Sequence, residues 1–280
     1  MKIQKSLECY LKSPYKSIKH STYFDIYDNL FSRYCGEEIT FVEIGVLDGG
    51  SLFMWREFLG PKARIIGVDL NPNARKWIDD GFEIFIGSQS DELFWEGFIE
   101  KVGMVDVVLD DGGHTYEQQI ITTEMLLDNI KDSGMLVVED VHTSYMSGFG
   151  AKKFSFVNYV KNYLDKINLR FGAIDNDSSD KRVWSIQSFE SIVAFHINRK
   201  YSIISKPTTN SGKSNNARDY RFVDNASVNF LNNLSNKFTF LIKIPGVKYF
   251  GLLISRYLVY RKSKSNLNRL VLEYISIIFW

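Results

Sequence analysis

Four carboxylates and two histidines stand at the ends of two apolar runs. The first run reads V-D-V-V-L-D-D-G-G-H and places Asp110, Asp111 and His114 at its close. The second reads M-L-V-V-E-D-V-H-T-S-Y and places Glu139, Asp140 and His142 at its close. Carboxylates gathered in one place repel unless a cation lies between them. Oxygen-only donors suit a hard ion such as Mg²⁺, Mn²⁺ or Ca²⁺, and no cysteine is near enough in sequence to suggest structural zinc. Such an ion lowers the pKa of an alcohol hydroxyl, and a histidine beside it can take the proton at neutral pH. His114 follows Asp111 across Gly112 and Gly113, a loop that can carry the ring over the ion. His142 is a second candidate for that work or a solvated side chain. Alternation along the first run puts Asp110 and Asp111 on opposite faces. Asp111, nearer the His114 loop, is taken as the metal ligand, and Asp110 is assigned to the cofactor side.

These residues need a scaffold that brings two strand ends together. Between the runs, Tyr116 to Lys131 reads as a helix, with Ile120, Met125, Leu126, Leu127 and Ile130 as its apolar positions. Strand, helix, strand implies parallel neighbours, and such sheets bind ligands off the carboxyl ends of their strands. Upstream, residues 39–46 form a first strand that runs into E-I-G-V-L-D-G-G-S and a helix. Glycines there allow close approach of the backbone, and Ser51 is placed to cap the helix. Residues 63–70 form a second strand ending in Asp69, where a carboxylate can accept both hydroxyls of a ribose. The turn lacks the G-x-G-x-x-G spacing, so it points to an adenosine-containing cofactor without choosing between NAD and S-adenosylmethionine. A third strand, 82–87, leads to Gln89 and Asp91. These polar side chains either read an adenine edge or cap the next helix.

A helix from about Lys153 to Ile167 follows, and then two strands joined by a tight turn at Phe189–Ser191. Residues 1–38 look helical, with Tyr23, Ile26, Tyr27, Leu30 and Phe31 at helical spacing against the sheet. His20 and Tyr23 could also reach the site, although a packed or solvated role is favoured for both. The fold expected is α/β and Rossmann-like. Its segments are an N-terminal helical stretch (1–38), the cofactor-binding domain (39–204), a polar linker (205–220) and a basic, apolar C-terminal extension (221–280).

With 280 residues and a net charge of +1, the chain has enough apolar content for a sizeable core, and no nucleic-acid partner is expected. Cys9 and Cys35 do not make a disulfide framework, and the N-terminus has no apolar signal region, so a cytoplasmic protein is expected. The near-neutral total hides a basic tail: Lys237, Lys243, Lys248, Arg256, Arg261, Lys262, Lys264 and Arg269 stand against Glu273 after residue 230. That pattern suits a homo-oligomer contact or a peripheral contact with an anionic membrane face. Charges interrupt every run too early for a membrane span.

In order and spacing, E-I-G-V-L-D-G-G-S-L, I-I-G-V-D-L-N-P, D-D-G-G-H and V-V-E-D-V-H-T-S-Y resemble class I S-adenosylmethionine-dependent methyltransferases. More narrowly, they resemble the metal-dependent sugar O-methyltransferases of macrolide biosynthesis and their relatives in bacterial glycan gene clusters. The resemblance covers residues 20–200, and its last two motifs are the specific ones. It implies a seven-stranded, mostly parallel sheet with an antiparallel last strand. It implies Asp111, Glu139 and Asp140 as Mg²⁺ ligands and His114 as the base. Glu43, Gly45, Gly49 and Ser51 would border the methionine part of S-adenosylmethionine, Asp69 would hold its ribose, and a sugar or glycan hydroxyl would be the acceptor. Two other readings stay open. His114, His142 and Asp111 could hold iron in an oxidoreductase. The chain could also be a membrane-bound, non-catalytic scaffold in a glycan assembly complex.

Overall fold

A computed structural model describes residues 5–171 and 179–213, together with Tyr220 and Asn229. Seven strands form one sheet: β1 (Thr40–Ile44), β2 (Arg64–Asp69), β3 (Glu83–Ile86), β4 (Val105–Asp110), β5 (Ile130–Val138), β6 (Val183–Ser188) and β7 (Val193–Ile197). Their spatial order is β3-β2-β1-β4-β5-β7-β6. Strands β1 to β5 run parallel, and β7 runs antiparallel to both its neighbours. This is the expected mostly parallel sheet with an antiparallel last strand. The winding reverses between β1 and β4, so the crevice off their carboxyl ends is the natural ligand position.

The strands are apolar on both faces because helices cover both. On β4, Val107 and Leu109 join one core and Val108 the other. The first core lies under α1 (Ser6–Lys12), α2 (Tyr23–Phe31) and α3 (Gly50–Leu59). The second lies under α4 (Glu92–Val102), α5 (Tyr116–Leu126) and α6 (Phe156–Asn168). Trp55 is the centre of the first core. It is fully buried, its ring lies 5.0 Å from those of Tyr27 and Phe41 and 5.5 Å from that of Phe31, and its Nε1 donates to Glu43 Oε1. Trp55→Ala therefore removes an aromatic hub and orphans an acceptor. We expect a loss of about 3–5 kcal/mol in urea unfolding; a loss below about 1 kcal/mol would contradict this packing.

Four local expectations are corrected. Residues 1–38 are not helical throughout: residues 13–22 form a strap between α1 and α2. Pro14 disfavours helical backbone at Ser13, which is extended (φ −57°, ψ 131°). The helix from Tyr116 ends at Leu126, a short 3₁₀ turn follows, and Ile130 already pairs with Val105. There Asn129 Nδ2 donates to the Gly103 carbonyl at 2.6 Å, fixing the turn. Ser51 does not cap α3. The cap is Gly49 in the left-handed region (φ 83°), and the Ser51 hydroxyl donates to Glu43 instead. The helix expected from about Lys153 begins at Phe156, after a 3₁₀ turn over Lys152–Phe154. Asp91 does cap α4, accepting from the amides of Leu93 and Phe94.

No described helix is long and apolar enough to cross a membrane. Residues 214–219 of the linker (205–220) and nearly all of the basic extension (221–280), with its membrane and oligomer readings, lie outside the described residues.

Candidate active site

A pocket of about 470 Å³ opens at the carboxyl ends of β1, β2 and β4. Its lining includes Gly45, Ser51, Asp69, Gln89, Asp111 and His114, with Asp140 at its edge and Lys16, Ser17 and Ile18 of the strap as one wall. That volume suits a cofactor-sized ligand.

The turn after β1 is held from beneath. Gly45 has φ 94°, and its amide donates to the Val68 carbonyl at 2.8 Å. Asp69 Oδ2 accepts from the amides of Val46 (2.8 Å) and Leu47 (2.9 Å), and Oδ1 accepts from that of Asn71 (2.7 Å). Three of the roughly four lone-pair positions of this carboxylate are thus filled. One remains, so Asp69 shapes the turn and can take one further hydroxyl rather than gripping two.

Two residues expected on the cofactor surface lie below it. Glu43 is fully buried, with Ser51 Oγ at 2.9 Å and Trp55 Nε1 at 3.0 Å on its two oxygens. Gly49 packs on the Trp77 ring, where a side chain would collide. Each faces inward because the strand and turn point it at α3 and its neighbours, away from the crevice. Burial raises the Glu43 pKa to about 7, an effect that Lys19 opposes. Because the folded-state pKa lies above the ordinary 4.5, Glu43 favours the fold fully below pH 4.5, and that contribution is lost as pH rises through about 7. Glu43→Gln keeps an acceptor for Trp55 and carries no charge. We expect its thermal stability relative to the parent to rise between pH 5 and 9, by up to about 3 kcal/mol. A difference that does not change with pH would refute this.

Asp110 and Gln89 also work beneath the surface. Gln89 Nε2 donates to Asp110 Oδ1 at 2.7 Å and to Thr122 Oγ1 at 3.2 Å, while its Oε1 accepts from the Gly113 amide at 2.9 Å. Gln89 is therefore a brace for the D-D-G-G-H loop that also lines the pocket. Asp110 is buried, accepts from the Gly112 amide as well, and does not line the pocket; burial raises its pKa to about 7. Asp110, expected on the cofactor side, stands beneath the pocket and holds this loop.

Beyond the loop the acidic cluster assembles as alternation required, with Asp111 facing the crevice. His114, in the left-handed region (φ 58°), directs Nε2 to 3.4 Å from Asp140 Oδ2 and 3.9 Å from Asp111 Oδ1. Donor atoms of Asp111, His114 and Asp140 all lie within 4.8 Å of one another, so an oxygen-rich divalent site fits their open side. Glu139 differs: it is fully buried, Tyr27 OH donates to its Oε1 at 2.6 Å, and Lys19 Nζ donates to its Oε2 at 3.1 Å.

Lys19 and Tyr27 did not enter the expected site, whereas Tyr23, which could reach it, contacts Asp140. Lys19 Nζ is 2.5 Å from Asp111 Oδ2, with a side chain only 1% exposed. Burial works against the ammonium, but Asp111 and Glu139 outweigh it and hold its pKa well above the usual range. Tyr23 OH donates to Asp140 Oδ1 at 2.5 Å, and its oxygen lies 2.9 Å from Ser191 Oγ, which can donate to it. Tyr23 and Tyr27, one turn apart on α2, share a helical face, which is the available signal for that pair; Lys19 lies on the strap and has none. His142 lies apart from His114, with Nδ1 2.5 Å from Ser191 Oγ and its ring 5.6 Å from that of His20. The only groups of donors among the described residues are Asp111–His114–Asp140 and His20–Asp140–His142. No iron triad of His114, His142 and Asp111 is formed.

Residues 42–141 match the family model described as a methyltransferase domain. That stretch is similar to a methyltransferase domain. Its sequence is 26% identical over 200 residues to the 8-demethyl-8-(2-methoxy-α-L-rhamnosyl)-tetracenomycin-C 3′-O-methyltransferase of Streptomyces olivaceus, covering 67% of this chain and 50% of that one. It is 31% identical over 134 residues to the mycinamicin VI 2″-O-methyltransferase of Micromonospora griseorubida, covering 45% and 33%. The fold matches that of MycE methyltransferase from the mycinamycin biosynthetic pathway, in complex with Mg and SAH. The TM-score is 0.63, with 22% identity, 70% of this chain and 55% of that one. The chain thus spans from a third to a half of the length of these curated relatives. The matched residues include the turn after β1, Asp69, the D-D-G-G-H loop and both acidic strand ends.

Proposed function

We propose that this protein is an S-adenosylmethionine- and Mg²⁺-dependent O-methyltransferase acting on a sugar hydroxyl. The observation that carries the reading is a juxtaposition. A pocket of about 470 Å³ built on the turn after β1 shares a wall with the Asp111–His114–Asp140 cluster. The names of the tetracenomycin and mycinamicin relatives support a sugar acceptor.

When bound, S-adenosylmethionine supplies an electrophilic methyl group, and the divalent ion supplies charge that acidifies an acceptor hydroxyl. The chain does the rest. Asp111 and Asp140 would hold the ion on their open side. His114 Nε2 faces that side and is placed to take the hydroxyl proton. The strap residues Lys16, Ser17 and Ile18 wall the donor pocket, limiting water at the transfer point and fixing the donor relative to the acceptor.

In this reading the acceptor is a nucleotide- or lipid-linked sugar of a bacterial polysaccharide or a glycosylated natural product. The free thiols Cys9 and Cys35 accord with work in the cytoplasm. The basic residues 221–280 would serve a homo-oligomer or a peripheral membrane contact. Calorimetric titration with S-adenosylmethionine should give one saturable site per chain. Absence of binding at millimolar cofactor would sink the proposal.

A further inference from the structure

We propose that Lys19 is a built-in counter-ion that withholds Glu139 from the divalent ion, leaving a metal site of two carboxylates, Asp111 and Asp140. This deepens the proposed function and rests on it for the identity of the ion. Three carboxylates meet at this strand-end cluster, and one ammonium, 1% exposed, already bridges two of them. Both oxygens of the fully buried Glu139 are already engaged, one by Tyr27 and one by the Lys19 ammonium. Asp111 is divided: Oδ2 faces Lys19, while Oδ1 faces His114 at 3.9 Å. The remaining donors close on Asp111, His114 and Asp140 without Glu139.

Lys19 is not a loose surface lysine that has drifted inward. The strap that carries it is fastened along its length. Tyr10 OH donates to the Ser17 carbonyl at 2.8 Å, Ser13 Oγ donates to the Gly50 carbonyl at 2.7 Å, and the Tyr15 ring packs 4.4 Å from that of Trp77. At Gly50 the strap runs so close that any side chain would strike the carbonyls of Tyr15 and Lys16. The same strap walls the donor pocket through Lys16, Ser17 and Ile18. Lys19 is thus a positioning residue tied to the pocket wall. It lowers the net charge of the three carboxylates from three negative to two, which a single divalent ion can balance.

Repulsion between a fixed ammonium and a divalent ion a few ångströms away is large at the effective dielectric of a partly buried site. The test is Mn²⁺ binding to the full chain without cofactor, followed by loss of the free Mn²⁺ paramagnetic resonance signal. Lys19→Met should bind Mn²⁺ about tenfold or more tightly than the parent, because the ammonium leaves and Glu139 becomes a ligand. Adding Glu139→Gln to that variant should abolish the gain. Glu139→Gln alone should weaken Mn²⁺ binding, because the ammonium it balances is then left uncompensated beside the ion. Lys19→Gln, which keeps a polar tip toward Asp111, should tighten binding as Lys19→Met does and keeps the test decisive if Lys19→Met folds poorly. Unchanged or weaker Mn²⁺ binding in both Lys19 variants, or a Lys19→Met/Glu139→Gln double variant that binds about tenfold more weakly than the parent, overturns the counter-ion role and leaves the methyltransferase reading standing. If neither the parent nor Lys19→Met binds Mn²⁺ while S-adenosylmethionine still binds, the metal requirement itself falls, and the counter-ion role with it.

Discussion

Replacing His114 with asparagine should lower methyl-transfer turnover by about 10²–10⁴-fold, the usual contribution of a positioned general base. S-adenosylmethionine affinity should stay within about threefold. Asparagine is the informative substitute because His114 sits in the left-handed backbone region, which asparagine tolerates better than most residues. The loop can therefore keep its path, including the Thr143 Oγ1 bond to the His114 carbonyl at 3.2 Å. What disappears is the Nε2 position between Asp140 and Asp111. Calorimetry on the same preparation separates a lost base from a lost fold. Near-parental turnover in His114→Asn would remove His114 from the reaction.

A comparable effect is expected from a single methyl group at Gly45, far from any proton transfer. Gly45 has φ 94°, and a Cβ there would strike the carbonyl of Asp111 and crowd Gly112. The backbone of the donor turn and that of the acceptor loop touch at this point. The Asp111 amide also donates to the Ile44 carbonyl at 2.9 Å. Gly45→Ala must carry the cost of a left-handed alanine, about 1–2 kcal/mol, and in addition push the two strand ends apart. We expect cofactor affinity to fall by about a hundredfold or more, since each ~1.4 kcal/mol is a factor of ten. The melting temperature should fall as well. Tight cofactor binding in Gly45→Ala would show that the turn does not form the donor site.

The sheet was legible in the sequence because its strands are short, apolar and ended by polar residues. The turn at Phe189–Ser191 was legible for the same reason: Phe189 N donates to the Ile192 carbonyl and Ser191 takes φ 64°. Asp111, Asp140 and His114 were legible because alternation along β4 and the paired glycines leave few directions for them. Depth was harder to read. Glu43, Gly49 and Asp110 belong to motifs that border the pocket, yet they point under it. Only the packing of α3, Trp77 and Gln89 decides which side of a turn becomes surface. Lys19 was out of reach for a different reason. Its partners Asp111 and Glu139 lie 92 and 120 residues away, and no local pattern announces contacts that long. The path of the strap past Gly50 delivers it there.

The most direct measurement is product analysis by mass spectrometry. The full chain is incubated with methyl-labelled S-adenosylmethionine, Mg²⁺ and a panel of nucleotide sugars, lipid-linked sugars and glycosides. The proposed function predicts one labelled methyl on a sugar oxygen, absent after EDTA treatment and restored by Mg²⁺. Label that never reaches an acceptor oxygen across the panel, or that transfers equally well in EDTA, would contradict a metal-assisted sugar O-methyltransferase.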